Sequence, residues 1–294
     1  MRSCTVIVNP AAGRGRALDA VTAAFEGVAL DVRIEPTTRP GHGIELAAKA
    51  HREGVDIIVA AGGDGTVHEV VNGVLADDTG YVPTLGVLPL GSGCDYAKTF
   101  RIPEDIGDAV KLIVSDVPPR TVDAGEVTFR EGKRYFANIA NCGIGPETVA
   151  RAARLPKALG SAMYGIAFVL VLPRFKRRKA TVMLGDELYE GPLTNLVVAN
   201  AQVFGGGMRV APNADPSDGL FDVQLQFGSK IDYVRGLPKV YKGTHVPHPR
   251  IREERVGVVT VECDPPAVVE ADGEVLGTTP ATYRVLPGAI RLKA

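Results

Sequence analysis

The sequence predicts two domains in series: a doubly wound α/β domain with a parallel sheet, then a β-sandwich domain with a helical insertion. Two observations carry this. Three times in the first hundred residues an apolar, β-prone run passes through a glycine-rich loop into a stretch of helical spacing, the pattern of strand-loop-helix units in a parallel sheet. After about residue 122 strand-like runs dominate instead. A chain of 294 residues with 45% hydrophobic content has apolar surface enough for two cores. The first domain is drawn over residues 1–122 and the second over 123–288, with 289–294 able either to close the second domain or to return to the first.

The elements follow in order. Residues 5–8 form the first strand, and Asn9-Pro10-Ala11-Ala12-Gly13-Arg14-Gly15-Arg16 leads into an alanine-rich helix over 17–25. Residues 45–52 read as a helix, and 57–61 as a buried strand of continuous β-branched and apolar residues. Gly62-Gly63-Asp64-Gly65-Thr66 then opens a helix over 67–75. A third strand, 85–88, runs through Pro89-Leu90-Gly91-Ser92-Gly93-Cys94-Asp95 into a helix over 96–100, and another helix covers 105–115. In the second domain, 126–129 and 135–140 flank a turn at Glu131-Gly132, and 181–184 and 188–191 flank one at Gly185-Asp186. Further strands are expected over 193–199, 221–227, 256–263 and 267–271, and helical structure over 155–172. The proline-rich segment 238–249, with His245 and His248, reads as a connecting loop bearing surface histidines rather than a metal site.

Composition excludes some classes. A net charge of -1 gives no nucleic-acid signal. Cys4, Cys94, Cys142 and Cys263 form no close pair, which suits a reducing compartment, and Met1 feeds almost directly into the first strand without a leader. A cytoplasmic protein is expected. The apolar stretch 158–172 is shorter than the roughly 20 residues that a spanning helix requires. Arg174, Lys176, Arg177, Arg178 and Lys179 follow it, and two readings stand: a solvated loop, or a basic patch that holds the protein peripherally on an anionic membrane.

The glycine loops carry the chemistry. A turn of this kind at a helix N-terminus lets backbone N–H groups approach phosphate oxygens, and the helix end adds partial positive charge. One such loop is weak evidence, but loops leaving the carboxyl ends of parallel strands converge on one crevice, so three of them favour a phosphate ligand. Neither a Gly-x-Gly-x-x-Gly dinucleotide fingerprint with its acidic partner nor a Gly-x-x-x-x-Gly-Lys-Ser/Thr loop is present.

Asn9-Pro10 through Gly13, Gly62 through Thr66, and Pro89 through Ala97 are joined downstream by Phe204-Gly205-Gly206-Gly207-Met208-Arg209-Val210-Ala211-Pro212, Asp218-Gly219-Leu220-Phe221-Asp222 and Asp272-Gly273-Glu274. In this order they resemble the soluble lipid kinases that include the bacterial diacylglycerol kinases and the sphingosine kinases. The resemblance implies a last strand that crosses back to the α/β domain. It also implies transfer of the γ-phosphate of ATP, with Mg²⁺, to a lipid hydroxyl, diacylglycerol first. Asn9, Pro10, Ala11, Ala12, Gly13, Thr37, Gly62, Gly63, Asp64, Gly65, Thr66, Val67, His68 and Ser92 map onto the nucleotide site. Asp64, Asp95 and Asp123 map onto acidic positions around the phosphates. Glu274 maps onto the general base; by pattern alone it is the residue after an Asp-Gly hairpin turn. Asp218, with the carbonyls of Asp215 and Leu220, maps onto a structural Mg²⁺ site.

Cys94 departs from the family, where asparagine is commoner. A membrane lipid is the expected partner, with transient surface association, no nucleic acid, and a homodimer left open. Two alternatives remain. An NAD kinase shares the Gly-Gly-Asp-Gly-Thr loop but expects an Asn-Glu pair absent here, and a nucleotide-responsive lipid-binding regulator would have no use for a base.

Overall fold

The computed structural model describes residues 1–77, 79–156, 159 and 162–294. The chain divides into two compact units, Met1–Asp123 with Gly288–Ala294, and Ala124–Pro287.

The first unit is an α/β domain with a parallel sheet. Its elements are β1 (Ser3–Val8), α1 (Ala17–Ala24), β2 (Asp31–Pro36), α2 (His42–Arg52), β3 (Ile57–Gly62), α3 (Asp64–Leu75), β4 (Thr84–Pro89), α4 (Asp95–Phe100) and α5 (Ile106–Val114). Every residue of β3 is buried, as expected of a strand covered on both faces. The strands run parallel in the order β2-β1-β3-β4. That order reverses direction between β1 and β3, so the loops leaving these two strands flank a topological switch point, where ligands of open α/β sheets bind.

The second unit is an antiparallel β-sandwich. Its elements, of which β5 begins and β16 ends in residues of the first unit, are β5 (Arg120–Phe129), β6 (Gly132–Phe136), β7 (Ile139–Gly143), α6 (Ile144–Ala152), α7 (Ala162–Val171), β8 (Arg178–Leu184), β9 (Glu187–Leu193), β10 (Asn195–Ala199), β11 (Phe221–Gln226), α8 (Lys230–Lys242), β12 (Ile251–Val256), β13 (Val258–Asp264), β14 (Val268–Ala271), β15 (Glu274–Thr278) and β16 (Ala281–Leu292). One layer holds β9-β8-β13-β16 with β5 and β6, and the other runs β12-β11-β10-β7-β14-β15. Between them Phe136 stacks on Phe221 and meets Tyr283 edge-on, all three fully buried. The strand β16 has three partners: its Ala281–Arg284 portion pairs antiparallel with β13, Arg291 and Leu292 pair parallel with Thr84 and Leu85 of β4, and β5 pairs with it as well.

Several expectations need correction. The run 135–140 is two strands, because Phe136 ends β6 in one layer and Ile139 begins β7 in the other. The Asp272 carboxylate holds that crossing by accepting from the backbone N–H groups of Ala137, Asn138 and Ile139. The preceding turn is Arg130-Glu131 rather than Glu131-Gly132, since Phe129 pairs with Gly132. The segment 238–249 is helical as far as Lys242, because Pro238 lies inside α8. A capping box between Ser229 and Asp232 starts α8 and Gly243, at φ 67°, ends it. The helix α6 was not anticipated at all. The start of the expected helix at Ala158 lies outside the described residues, and α7 begins at Ala162.

Candidate active site

The three glycine-rich loops of the first unit are bonded to one another. Gly13 N–H donates to Leu90 O (3.0 Å), and Leu90 and Gly91 N–H both donate to Gly62 O (2.8 and 3.1 Å). A side chain on Gly91 would strike the Gly63 backbone, its Cβ falling 2.4 Å from Gly63 Cα, so this contact requires glycine. Asn9 Oδ1 accepts from Ala11 N–H (3.0 Å), shaping the first loop, and Gly13, Arg14 and Gly15 all take positive φ. Pro10 and Ala12 are half-buried there, while Ala11 and Ser92 are exposed.

Asp64 opens α3 and accepts from Tyr96 N–H of α4 (3.0 Å), so one carboxylate ties the second loop to the third. Gly65 is exposed at this helix start, whereas Thr66, Val67 and His68 are buried. Asn72 Nδ2 donates to His68 O (2.9 Å), which places His68 in the packing of α3 rather than on the loop surface. Asp95 is buried with Lys98 Nζ 3.5 Å away, and Asp123 is buried and accepts from Gly288 N–H (2.7 Å). Thr37 N–H donates to Val8 O (2.8 Å). The nearby N-terminus of α2 is filled by Glu69, whose carboxylate accepts from Gly41 and Gly43 N–H (2.8 Å each). Sequence reasoning missed Glu69; the signal was a glutamate five residues after the start of α3, facing the Gly41-His42-Gly43 turn.

Cys94 caps α4 at φ 50°, a left-handed conformation that asparagine tolerates better than cysteine. Its thiol donates to Gly91 O (3.3 Å), and burial together with the Asp64 charge pushes its pKa up to about 11.

In the second unit, Asp272 (φ 51°) and Gly273 (φ 89°) form the two-residue turn between β14 and β15, and Glu274 stands exposed immediately after it. The turn lies beside a cavity of about 320 Å³. Tyr164 lines that cavity, and its hydroxyl is 3.9 Å from where a Cβ on Gly273 would stand. The remaining wall includes the apolar Ile144, Phe168, Phe204, Met208 and Val210, with Asn141, Asn195, Arg235 and Arg250 among its polar members. The Phe204–Met208 segment closes on itself through reciprocal backbone bonds, and Gly205, Gly206 and Gly207 all take positive φ, which accounts for the glycine triplet. His245 is buried against the same wall, its Nε2 3.1 Å from Val210 O, which corrects its expected surface position. The sequence did not reveal the cavity, since its lining comes from six separated stretches of chain.

Asp218 Oδ1 accepts from Leu220 N–H (2.9 Å), and its other oxygen pairs with Arg255. Asp215 is turned toward Ser217, accepting from its N–H (3.0 Å) and hydroxyl (2.6 Å). Among the described residues no group of three or more His, Cys, Asp and Glu is arranged around a metal position. The neighbourhood nevertheless fits a cation. Asp222 Oδ2 is buried without a hydrogen bond, and burial with the charges of Glu253 and Asp215 pushes the Asp222 pKa up to about 6. Arg255 Nε, 3.7 Å from that oxygen, only partly offsets the excess negative charge.

The basic run is also only partly as expected. Arg174, Lys176, Arg177 and Lys179 are exposed, but Arg178 begins β8, pairs with Glu147 (3.0 Å) and sits over the Phe175 ring (5.6 Å). Among the described residues no helix is long and apolar enough to cross a membrane.

With fold and site in place, comparison with known proteins defines a class. Residues 3–127 match the diacylglycerol kinase catalytic domain, and residues 138–294 match the YegS C-terminal NAD kinase beta sandwich-like domain. The chain belongs to the diacylglycerol kinase-like family of lipid kinases. It is 32% identical to a diacylglycerol kinase of Mycobacterium tuberculosis H37Rv over 98% of this chain and 94% of that one. It is 31% identical to a protein of Chromohalobacter salexigens named "Probable lipid kinase YegS-like", over 90% and 84% of the two chains. A solved structure from Bacillus anthracis, 23% identical, superposes with a TM-score of 0.81 over 99% of this chain and 94% of that one, and shares the fold.

Proposed function

We propose that this chain transfers the γ-phosphoryl group of ATP to the hydroxyl of a membrane lipid, diacylglycerol or a related lipid alcohol. The observation that carries the reading is the apolar cavity of about 320 Å³ beside the turn that presents Glu274. An acyl chain suits such a wall. The second unit thus offers a place for a lipid tail next to an exposed carboxylate.

In the reaction, Glu274 accepts the proton of the lipid hydroxyl as its oxygen bonds to the γ-phosphorus, and the bond from that phosphorus to the bridging oxygen breaks to release ADP. The linked loops hold the triphosphate, Gly62 to Thr66 through backbone N–H groups at the start of α3 and Ser92 through its hydroxyl, with Asn9 to Gly13 forming the adjoining wall and Thr37 standing at its edge. Asp64, Asp95 and Asp123 would be the acidic groups near an Mg²⁺ that arrives with the nucleotide, and Asp218 with the carbonyls of Asp215 and Leu220 would hold a further ion. When bound, Mg²⁺ supplies charge neutralisation for the transferring group and rigidity at the Asp218 turn.

Ile166, Val169 and Leu170 of α7, close in sequence to the exposed Arg174, Lys176 and Arg177, are exposed, as are Ile231 and Val234 of α8. Phe168 and Tyr233 join the two helices, with ring centroids 5.9 Å apart, and both line the cavity. This face settles on an anionic membrane, from which the lipid enters.

The test is an assay with labelled ATP against a panel of lipids, with NAD as comparator. Wild-type protein labels a lipid and leaves NAD unlabelled. Glu274→Gln lowers kcat by about 10²–10⁴-fold with the KM for ATP near normal. Labelling of NAD alone, or an unimpaired Glu274→Gln, overturns the reading.

A further inference from the structure

Glu270 is a carboxyl group in the middle of an apolar strand. It lies on β14 opposite Asn141 of β7, is fully buried, and has no cationic partner among the described residues. A buried carboxyl in such surroundings costs stability unless its oxygens are well bonded. Each oxygen has one donor: Gly273 N–H to Oε1 (3.0 Å) and Asn141 Nδ2 to Oε2 (3.1 Å).

These two donors lead in opposite directions. Gly273 is the second residue of the turn, and the next residue is Glu274. Asn141 leads toward the cavity, because its Oδ1 accepts from Asn195 Nδ2 (3.4 Å), and Asn195 Oδ1 accepts from Gly145 N–H (3.0 Å) at the start of α6. Asn141, Asn195 and Gly145 all line the cavity. The chain of bonds therefore runs from the cavity wall through Glu270 into the turn. A glutamine here would preserve the size of the side chain but leave one of the two donors facing an amide N–H₂.

We infer that Glu270 is a positioning residue, which couples the wall of the lipid cavity to the turn that aims Glu274 at the acceptor hydroxyl. The inference rests on the reading of Glu274 as proton acceptor. Glu270 itself touches neither lipid nor nucleotide. Burial, with the charges of Asp272 and Glu274 adding to it, pushes its pKa up to about 8, so at neutral pH it is held by geometry more than by charge. A side chain that served only packing would affect folding and leave the proton-transfer step alone.

A double-mutant cycle on lipid phosphorylation separates these roles. Glu270→Gln is expected to lower kcat about tenfold, with the KM for ATP unchanged, in protein whose circular dichroism matches wild type. In the Glu274→Gln background the same substitution should cost less than twofold, because the group it aims is already gone. Asn141→Ala, which leaves Glu270 bonded to Gly273, should give the same non-additive pattern with a smaller loss, and it serves if Glu270→Gln does not fold. Multiplicative losses in both cycles overturn the positioning role while leaving Glu274 as the base. A Glu274→Gln protein with wild-type kcat overturns the base reading and with it the inference.

Discussion

Asp218-Gly219 and Asp272-Gly273 are the same dipeptide in the same β-sandwich, and they are built to different ends. At Asp272 the aspartate itself takes positive φ, and its carboxylate is fixed by three backbone N–H groups from the crossing between β6 and β7. At Asp218 only the glycine takes positive φ, and the carboxylate meets one backbone N–H and the half-exposed Arg255. Backbone donors cannot move without unfolding a strand, whereas an arginine can swing aside. The first turn is a rigid mount and the second can exchange its counter-charge. That contrast is what a residue aiming a proton acceptor and a residue binding a metal ion would each require.

The sharpest way to break the comparison is to remove each carboxylate. Asp272→Ala strands three backbone N–H groups and leaves alanine at positive φ, and should lower unfolding free energy by roughly 3–5 kcal/mol. Asp218→Ala loses a pair that is largely solvent-screened, and should cost about 0–1 kcal/mol. Urea denaturation of the two variants measures both, and equal losses would end the distinction.

A second test uses pH. The folded pKa of Glu270, about 8, lies above its ordinary 4.5. Its favourable contribution is therefore complete below pH 4.5, shrinks as pH rises, and is gone above about 8. Glu270→Gln has no such slope. Its stability deficit relative to wild type should narrow or reverse between pH 5 and pH 8 in paired denaturation curves, and a constant deficit would mean that folding does not raise the pKa of Glu270.

Smaller effects are expected at the surface. Replacing Lys176 and Arg177 by glutamine should weaken binding to anionic vesicles about tenfold or more at low salt, at roughly 1 kcal/mol per charge. Arg178→Gln should instead lower stability and leave sedimentation with vesicles little changed, because Arg178 is engaged by Glu147 and Phe175. Unchanged sedimentation of the double variant would remove the membrane face. The smallest effect belongs to Cys94→Asn, which relieves a left-handed cysteine and should raise stability by a few tenths of a kcal/mol, measured as a shift in Tm. At neutral pH the thiol of the wild type should alkylate slowly, since it ionises only near pH 11.

Much of this was legible in the residues. The loops of the α/β unit announced themselves because glycine marks sites where backbone must approach backbone, as Gly91 does at Gly63. The hairpin at Gly185-Asp186 was equally plain, with Leu184 opposite Glu187. Family resemblance, not periodicity, raised Glu274 above an ordinary turn residue. Glu270 stayed hidden because its partner Asn141 is far away in the chain, and only strand pairing brings the two together. α8 was missed because Pro238 falls in a proline-rich segment that reads as a connecting loop, although the Ser229 and Asp232 capping signal precedes it. The run 135–140 is uniformly strand-like, and the residue that divides it, Asp272, acts from a distant turn.

The pairings of β16 with β13 and with β4 impose an order on synthesis. As the chain leaves the ribosome, β1 to β4 can assemble early, but the outer edge of β4 has no neighbour until Arg291 and Leu292 arrive. Lys293 then fastens the junction, its backbone N–H donating to Leu85 O (2.9 Å) and its ammonium group to Ser115 O (2.7 Å). During most of translation the nascent α/β unit therefore displays an open parallel edge, the kind of surface on which chains stick to one another. The last strand acts as a seal applied after the sandwich has been made, and a ribosome that stalls shortly before it releases an enzyme precursor ready to aggregate.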